Sequence, residues 1–267
     1  EDLQAVYSFQ IDLNTSFTGD DSFDVSIDAG NASAGAISEF DGNSTTDALK
    51  VDGISYTFPL GDATFIVGDN TDGSALFTTA CAYGGPSNTL DDCGNVNAGI
   101  TNGGAMVGAA YDFDNGFTVA TGWAGPESAV ATDESTDAYG INAAYTGENY
   151  GLSITYGIVE TGVSEEDTFT AFNGYYTPDS TTIPSISVGY EVGEDDSVTG
   201  GDDALTSFFV GLTWDEVGPG SAGIAMGTKT PTVEGTDEQY MYEAYYSYPV
   251  NDNAVSYTHL TLPTIRE

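Results

Sequence analysis

Cations are almost missing from this sequence. Three of its 267 residues are basic, Lys50, Lys229 and Arg266, against 42 Asp and Glu, for a formal net charge of −39. Such a chain cannot neutralise phosphates, which excludes nucleic acid as a partner. Docking on an anionic membrane through a basic patch is excluded for the same reason. The self-repulsion disfavours a compact soluble domain unless salt screens it. A saline habitat and a cation-attracting pore mouth both fit that charge. Histidine occurs once, at His259. There is no nucleophile-elbow serine, no phosphate-cradling glycine loop and no ordered calcium-loop spacing. Carboxylate pairs are everywhere, and nothing selects one pair for glycoside hydrolysis. No enzyme activity, cofactor or metal site is expected. No stretch approaches the roughly 18 apolar residues of a membrane helix. The chain opens EDLQAVYSFQ, inside a strand, and reads as a fragment whose export signal lies upstream.

Glycine and aromatics are abundant: Gly 34, Tyr 17 and Phe 13 favour strands and turns over helices. The clearest stretch is 137–159. Tyr139, Ile141, Ala143 and Tyr145 share one face, which resumes after a Gly147-Glu148-Asn149 turn as Tyr150, Leu152, Ile154, Tyr156 and Ile158. The opposite face is small or polar, with Gly140, Asn142, Ala144 and Thr146, then Gly151, Ser153, Thr155 and Gly157. Period two with a short Gly/Asn turn is a hairpin signal. An apolar face with aromatics near its ends, backed by a face too light to fill a core, suits a membrane barrel with a wet lumen. Tyr139, Ile141, Tyr145, Leu152, Ile154 and Tyr156 are therefore candidate lipid-facing residues, with Phe208, Leu212 and Trp214 of a later strand. Asn142, Thr146, Ser153 and Thr155 are candidate lumen-facing residues.

The same alternation recurs along the chain, with a phase slip at Gly53 that reads as a bulge. Phe169–Tyr176 is a strand with apolar residues at both parities, and its inner face is not assignable. About 13 strands of roughly 8–10 residues result, joined by connections that alternate short and long, as in outer-membrane barrels. The fold class is all-β, a transmembrane antiparallel up-and-down β-barrel. One strand before these and two after would give about 16, an even closure. Residues 1–254 are the barrel, incomplete at both ends. Where the next strand should begin, the chain reads VSYTHLTLPTIRE. Val255–Thr264 resembles a translated sequencing-library adaptor, so 255–267 is read as a non-native tail. Removing it takes away His259 and Arg266 and leaves the net charge unchanged.

Several phrases carry a family likeness: SFQIDLNTSFTGDDSFDVSIDAGN, VDGISYTFPLGDA, CAYGGPSNTLDDCGN, GYYTPDS and EQYMYEAYYSYPVND. They resemble the porins of marine picocyanobacteria, in the carbohydrate-selective porin-like superfamily that includes iron-uptake porins. The likeness spans Leu3–Asn253. It implies a diffusion channel in the cell outer membrane, in contact with its lipid and assembled as a homotrimer. It also implies an upstream signal peptide, S-layer-homology domain and coiled coil, the second of which holds peptidoglycan. Sugar-binding constrictions usually present arginines, and here Lys50 and Lys229 are the only cations before the tail.

Cys81 and Cys93 are the only cysteines and lie in the longest loop, about Asp69–Asn102. In an oxidising periplasm they would form a disulfide. The stapled loop either folds into the barrel and narrows the pore, carrying Asp91 and Asp92, or stays outside it. The acidic stretches Glu165–Asp167 and Glu194–Asp196 with Asp202 and Asp203 read as solvated external loops. Tyr240, Tyr242, Tyr245, Tyr246 and Tyr248 read as an interface girdle. Together these features point to passive diffusion of small hydrophilic solutes and ions, with cations or neutral solutes preferred over anions. The alternative is a soluble or surface-exposed all-β structural or adhesive protein.

Overall fold

The structure is a computed structural model that describes residues 6–31, 45–100, 104–130, 132, 136–162, 165–196, 204–228, 232–233, 239–251 and 254–263. Strands account for its regular structure. They are β1 (Ser8–Thr15), β2 (Ser22–Gly30), β3 (Lys50–Leu60), β4 (Ala63–Asp69), β5 (Ala105–Asp112), β6 (Phe117–Gly125), β7 (Ala138–Thr146) and β8 (Tyr150–Gly162). Then come β9 (Glu165–Tyr176), β10 (Ser185–Glu194), β11 (Ala204–Val217), β12 (Gly220–Gly227), the short β13 (Thr232–Val233), β14 (Met241–Asn251) and β15 (Ala254–Pro263). Each long strand pairs antiparallel with the next, so the sheet runs up and down in chain order, and β13 pairs β11 off that path. Among the described residues no helix is long and apolar enough to cross a membrane, which says nothing of strands.

Local chemistry sets the turns. Leu60 and Ala63 pair across a two-residue turn whose Gly61 has φ +64°, a conformation without penalty only for glycine. Gly116, at φ +89°, closes the 114–116 turn, where the Phe113 amide donates to the Phe117 carbonyl. The phase slip is a bulge: Ser26 pairs Gly53 and Ile27 pairs Val51, leaving Asp52 extra. The alternation of short and long connections breaks at one place. β8 runs to Gly162 and β9 begins at Glu165. Glu165, Glu166 and Asp167 are therefore the first residues of a strand rather than part of a loop. Residues 197–203, including Asp202 and Asp203, lie outside the described residues.

The 13 long strands up to Asn251 match the number expected. Ala254–Pro263 forms one more, paired with β14 in register from Met241↔Pro263 to Pro249↔Val255, with a register shift before Asn251↔Ala254. β1 and β15 are the two ends of the sheet, and no ladder joins them among the described residues.

Apolar bulk is distributed inside out. Ile141 is 59% exposed and Leu152 57%, while Thr155 between them in the sheet is fully buried. What buries the light face is the segment between β4 and β5. Among the described residues, all three buried apolar clusters join this segment to the inner wall. Tyr83, Leu90 and Cys93 pack on Phe209, Ala225 and Tyr245. Ile100 packs on Ile66, Met106, Ala124 and Ala138. Ala98 packs on Phe169 and Ala171. The core of this molecule is thus a loop inside a curled sheet.

Candidate functional site

The site is the inner wall and the segment from Asn70 to Ile100 laid across it. Its backbone cannot complete a ladder of its own, and unpaired buried amides and carbonyls are costly. The wall supplies the partners. The Thr78 amide donates to Asn142 Oδ1 at 2.9 Å, and Asn142 Nδ2 donates back to the Thr78 carbonyl at 3.1 Å. The Ala80 amide donates to Ser153 Oγ and the Ala82 amide to Ser187 Oγ, at 2.9 and 2.8 Å. Ser207 Oγ donates to the Gly94 carbonyl and Asn173 Nδ2 to the Cys93 carbonyl. Two wall carboxylates complete the set. Glu191 accepts the Asn97 and Ala98 amides at 2.9 and 2.8 Å on Oε2 and Asn97 Nδ2 at 2.9 Å on Oε1. Glu243 accepts the Tyr83 and Ser87 hydroxyls at 2.7 and 2.5 Å.

Glycines make room for this. Gly108, Gly122, Gly140 and Gly157 face one another in register across β5 to β8. A Cβ on Gly122 would lie 1.8 Å from the Gly73 carbonyl oxygen, and one on Gly157 2.9 Å from that of Ala98. The light face is therefore a seat for backbone, not simply the lining of a water column.

Cys81 and Cys93 are disulfide-bonded. Asp91 and Asp92 are exposed, between the buried Leu90 and Cys93. Asn142, Ser153 and Thr155 lie under the segment, and Thr155 accepts from Asn142 Nδ2. Thr146 is at the exposed end of β7, where its amide donates to the Gly116 carbonyl, away from the segment. Tyr139, Ile141, Leu152, Ile154 and Tyr156 are exposed, and Tyr145 is half-buried on the same face. Phe208, Leu212 and Trp214 are half-buried at the parity of Val210, which is 41% exposed. The face of β9 is settled too: Phe169, Ala171 and Asn173 are buried, Phe172 and Tyr176 exposed. One tyrosine of the supposed girdle is misplaced in the sequence reading. Tyr245 is 7% exposed, with its ring edge-on to Tyr83 at 5.8 Å.

Glu191, Glu243, Ser187 and Ser207 escaped notice in the sequence. The signal was present: Glu191 and Glu243 are lone carboxylates at the inward parity of otherwise small or aromatic strand faces.

The segment leans mainly on β4 to β14, meets β3 where Asn70 and Thr71 donate to the Asp52 and Ile54 carbonyls, and among the described residues leaves β1 and β2 uncovered. There the inward side chains are Gln10, Asp12, Asn14, Ser22, Asp24 and Ser26, joined by hydrogen bonds such as Ser26 Oγ to Asp12 at 2.7 Å and Ser22 Oγ to Asp24 at 2.6 Å. A hollow of about 300 Å³ lies beside them, lined by Asp24, Asp52, Ser55, Asn70 and Asp72 among others. Larger hollows, about 510 and 700 Å³, both reach Ala143 and are lined mainly by outer-face residues such as Ile154.

The outer face carries aromatics in two rows. Phe117/Trp123, Tyr139/Tyr145, Tyr150/Tyr156, Phe208/Trp214 and Tyr242/Tyr248 each stand six residues apart on one strand. That is roughly 20 Å along the strand. One row follows the short-turn end and the other the long-loop end.

No family model matches the sequence, and no curated protein sequence matches it. Solved structures do. A porin of Rhodopseudomonas blastica superposes in several variant forms, one with a TM-score of 0.60 over 96% of this chain and 84% of its own, at 13% identity. The anion-selective porin of Comamonas acidovorans superposes with a TM-score of 0.66 over 95% of this chain and 77% of its own, at 14% identity. At such identities the likeness is one of fold: this chain has the porin-like β-barrel fold.

Proposed function

We propose that this chain is the barrel of a bacterial outer-membrane channel for passive diffusion of small hydrophilic solutes and ions. The observation that carries the reading is the inside-out arrangement. An apolar outer face with two aromatic rows suits lipid between two interfaces. A polar inner face partly filled by one stapled segment suits a narrowed aqueous lumen. The exposure of Ile141, Ile154 and Val210 speaks against the soluble alternative, which needs them in a packed interior. No catalytic step is involved.

In this reading the Cys81–Cys93 segment is the constriction, with Asp91 and Asp92 on its exposed surface. Solutes pass along the uncovered wall of β1 and β2 and the adjoining part of β3, beside Asp12, Asp24 and Asp52. Lys50 is the one cation among the described residues. Carboxylates along the path favour cations or neutral solutes over anions. The Comamonas protein is described as anion-selective, so the shared fold does not dictate the sign. The cyanobacterial likeness further suggests a homotrimer attached to peptidoglycan through an upstream domain, and 255–267 as foreign sequence occupying the place of a native strand. Reversal potentials in planar bilayers across a KCl gradient test the reading. Cation preference is expected. Clear anion preference removes the selectivity claim, and absence of any conductance by the full-length parent protein removes the channel.

A further inference from the structure

We infer that Glu191 is the residue that positions the constricting segment at Asn97 and Ala98, and that it does so as the buried acceptor for their two backbone amides. Glu191 is 1% exposed, in mid-strand on β10 between Ala171 and Ser207 of the neighbouring strands. Its three closest donors are N–H groups: the Asn97 and Ala98 amides on Oε2 and Asn97 Nδ2 on Oε1. The Asn97 amide also reaches Oε1, at 3.2 Å. A backbone N–H can only donate. The grip thus requires an acceptor here, and it holds the segment where it turns from the Cys93 bridge toward Ile100. Glu243, also buried, accepts from the Tyr83 and Ser87 hydroxyls and so holds the segment at another place.

Glu191→Leu leaves the two backbone amides with no acceptor, whereas Glu191→Gln keeps one oxygen for them while Asn97 turns its Oδ1 to the new NH₂. Glu243→Leu removes a grip elsewhere on the segment and leaves the Glu191 oxygens in place. This inference rests on the reading of the segment as a constriction only for its effect on conductance, not for its effect on the segment itself.

The test is hydrogen exchange at the Asn97 and Ala98 amides of the full chain in detergent micelles, together with single-channel conductance. In Glu191→Leu, protection at these amides falls by roughly 10- to 100-fold, the loss of a buried bond to a charged group, while strand amides keep theirs. In Glu243→Leu protection there is unchanged. Equal behaviour of the two variants overturns the inference. Where Glu191→Leu does not fold, Glu191→Asp decides, because it withdraws the oxygens by one methylene and keeps the carboxylate in the wall: reduced protection at Asn97 and Ala98 supports the grip, and unchanged protection overturns it. A rise in conductance accompanying lost protection ties the segment to pore calibre. Lost protection at constant conductance keeps the grip and defeats the constriction.

Discussion

Asn142 of β7 and Thr78 of the inserted segment exchange two hydrogen bonds, amide to Oδ1 at 2.9 Å and Nδ2 to carbonyl at 3.1 Å. A side chain here does what a neighbouring strand does in a ladder. Asn142→Asp keeps the shape and loses the donor, setting an acceptor against the Thr78 carbonyl. The cost is about 1–3 kcal/mol, the price of a buried polar group left unmatched. The segment's exchange at Thr78 should accelerate while the barrel's thermal transition persists; an unaltered Thr78 amide would contradict this pairing.

Gly122 and Gly84 make a matched pair for testing the seat. A Cβ at Gly122 would lie 1.8 Å from the Gly73 carbonyl oxygen, whereas at Gly84 it would meet nothing within 4 Å. Gly122→Ala is expected to destabilise by about 1–3 kcal/mol through overpacking and Gly84→Ala to be near neutral. Thermal unfolding of both in micelles reads the difference, and equal transitions would mean that the segment does not rest on β6.

Removing the disulfide should act locally. Cys81 and Cys93 bracket Tyr83, Ser87 and Leu90, the residues that dock on β14 and its neighbours. A bridge closing a loop of this size contributes about 3 kcal/mol in the chain-entropy model. In the Cys81→Ser/Cys93→Ser double variant, exchange across 81–93 should quicken and that at Ala98, held by Glu191, should not. Uniform quickening through residue 100 would show that the segment moves as one piece.

The turn after β1 offers a pH test. Hydroxyl donors from Ser16 and Tyr56, then the Thr18 amide, hold the Asp21 carboxyl well below the usual carboxylate range. A depressed folded value means that its contribution is present above the ordinary carboxylate pKa of about 3.9. The contribution is lost as pH falls through the lower folded value. The contact between Phe17 and Tyr56, whose rings are 6.0 Å apart, should therefore survive at pH 4 and open only in stronger acid. Asp21→Asn keeps an acceptor for the amides and cannot titrate, so nuclear Overhauser contacts between the two rings should lose that acid transition. A transition unchanged in the variant would assign it elsewhere.

Much of this was legible in the chain. Strand identity and outward face follow from period two at Tyr139–Tyr145, Tyr150–Ile158 and Ile186–Val192, because a strand turns alternate residues to opposite sides. β9 was not legible, since Phe169 and Phe172 are equally apolar. Packing with Ala98, Val159 and Leu205 makes Phe169 a core residue and leaves Phe172 outside. Tyr245 was misread for the same reason: a tyrosine among tyrosines shows no preference until Tyr83 covers it. The acidic run at Glu165 looked like a loop because charge marks solvent, and a strand extending beyond the apolar band is solvated as well.

The sequence alone determined that this is a barrel of alternating strands, with an apolar outside, a light inside and two cysteines in its longest connection. Those properties are local, set by side-chain period and turn chemistry. Where that connection lies was decided only by the tertiary structure. Its anchors, Asn142, Ser153, Ser187, Glu191, Ser207 and Glu243, sit on five strands, more than 60 residues apart in the chain from the backbone or side chains they hold. No spacing within one strand encodes that convergence, because it exists only once the sheet has curled and brought six polar side chains to the path of one backbone.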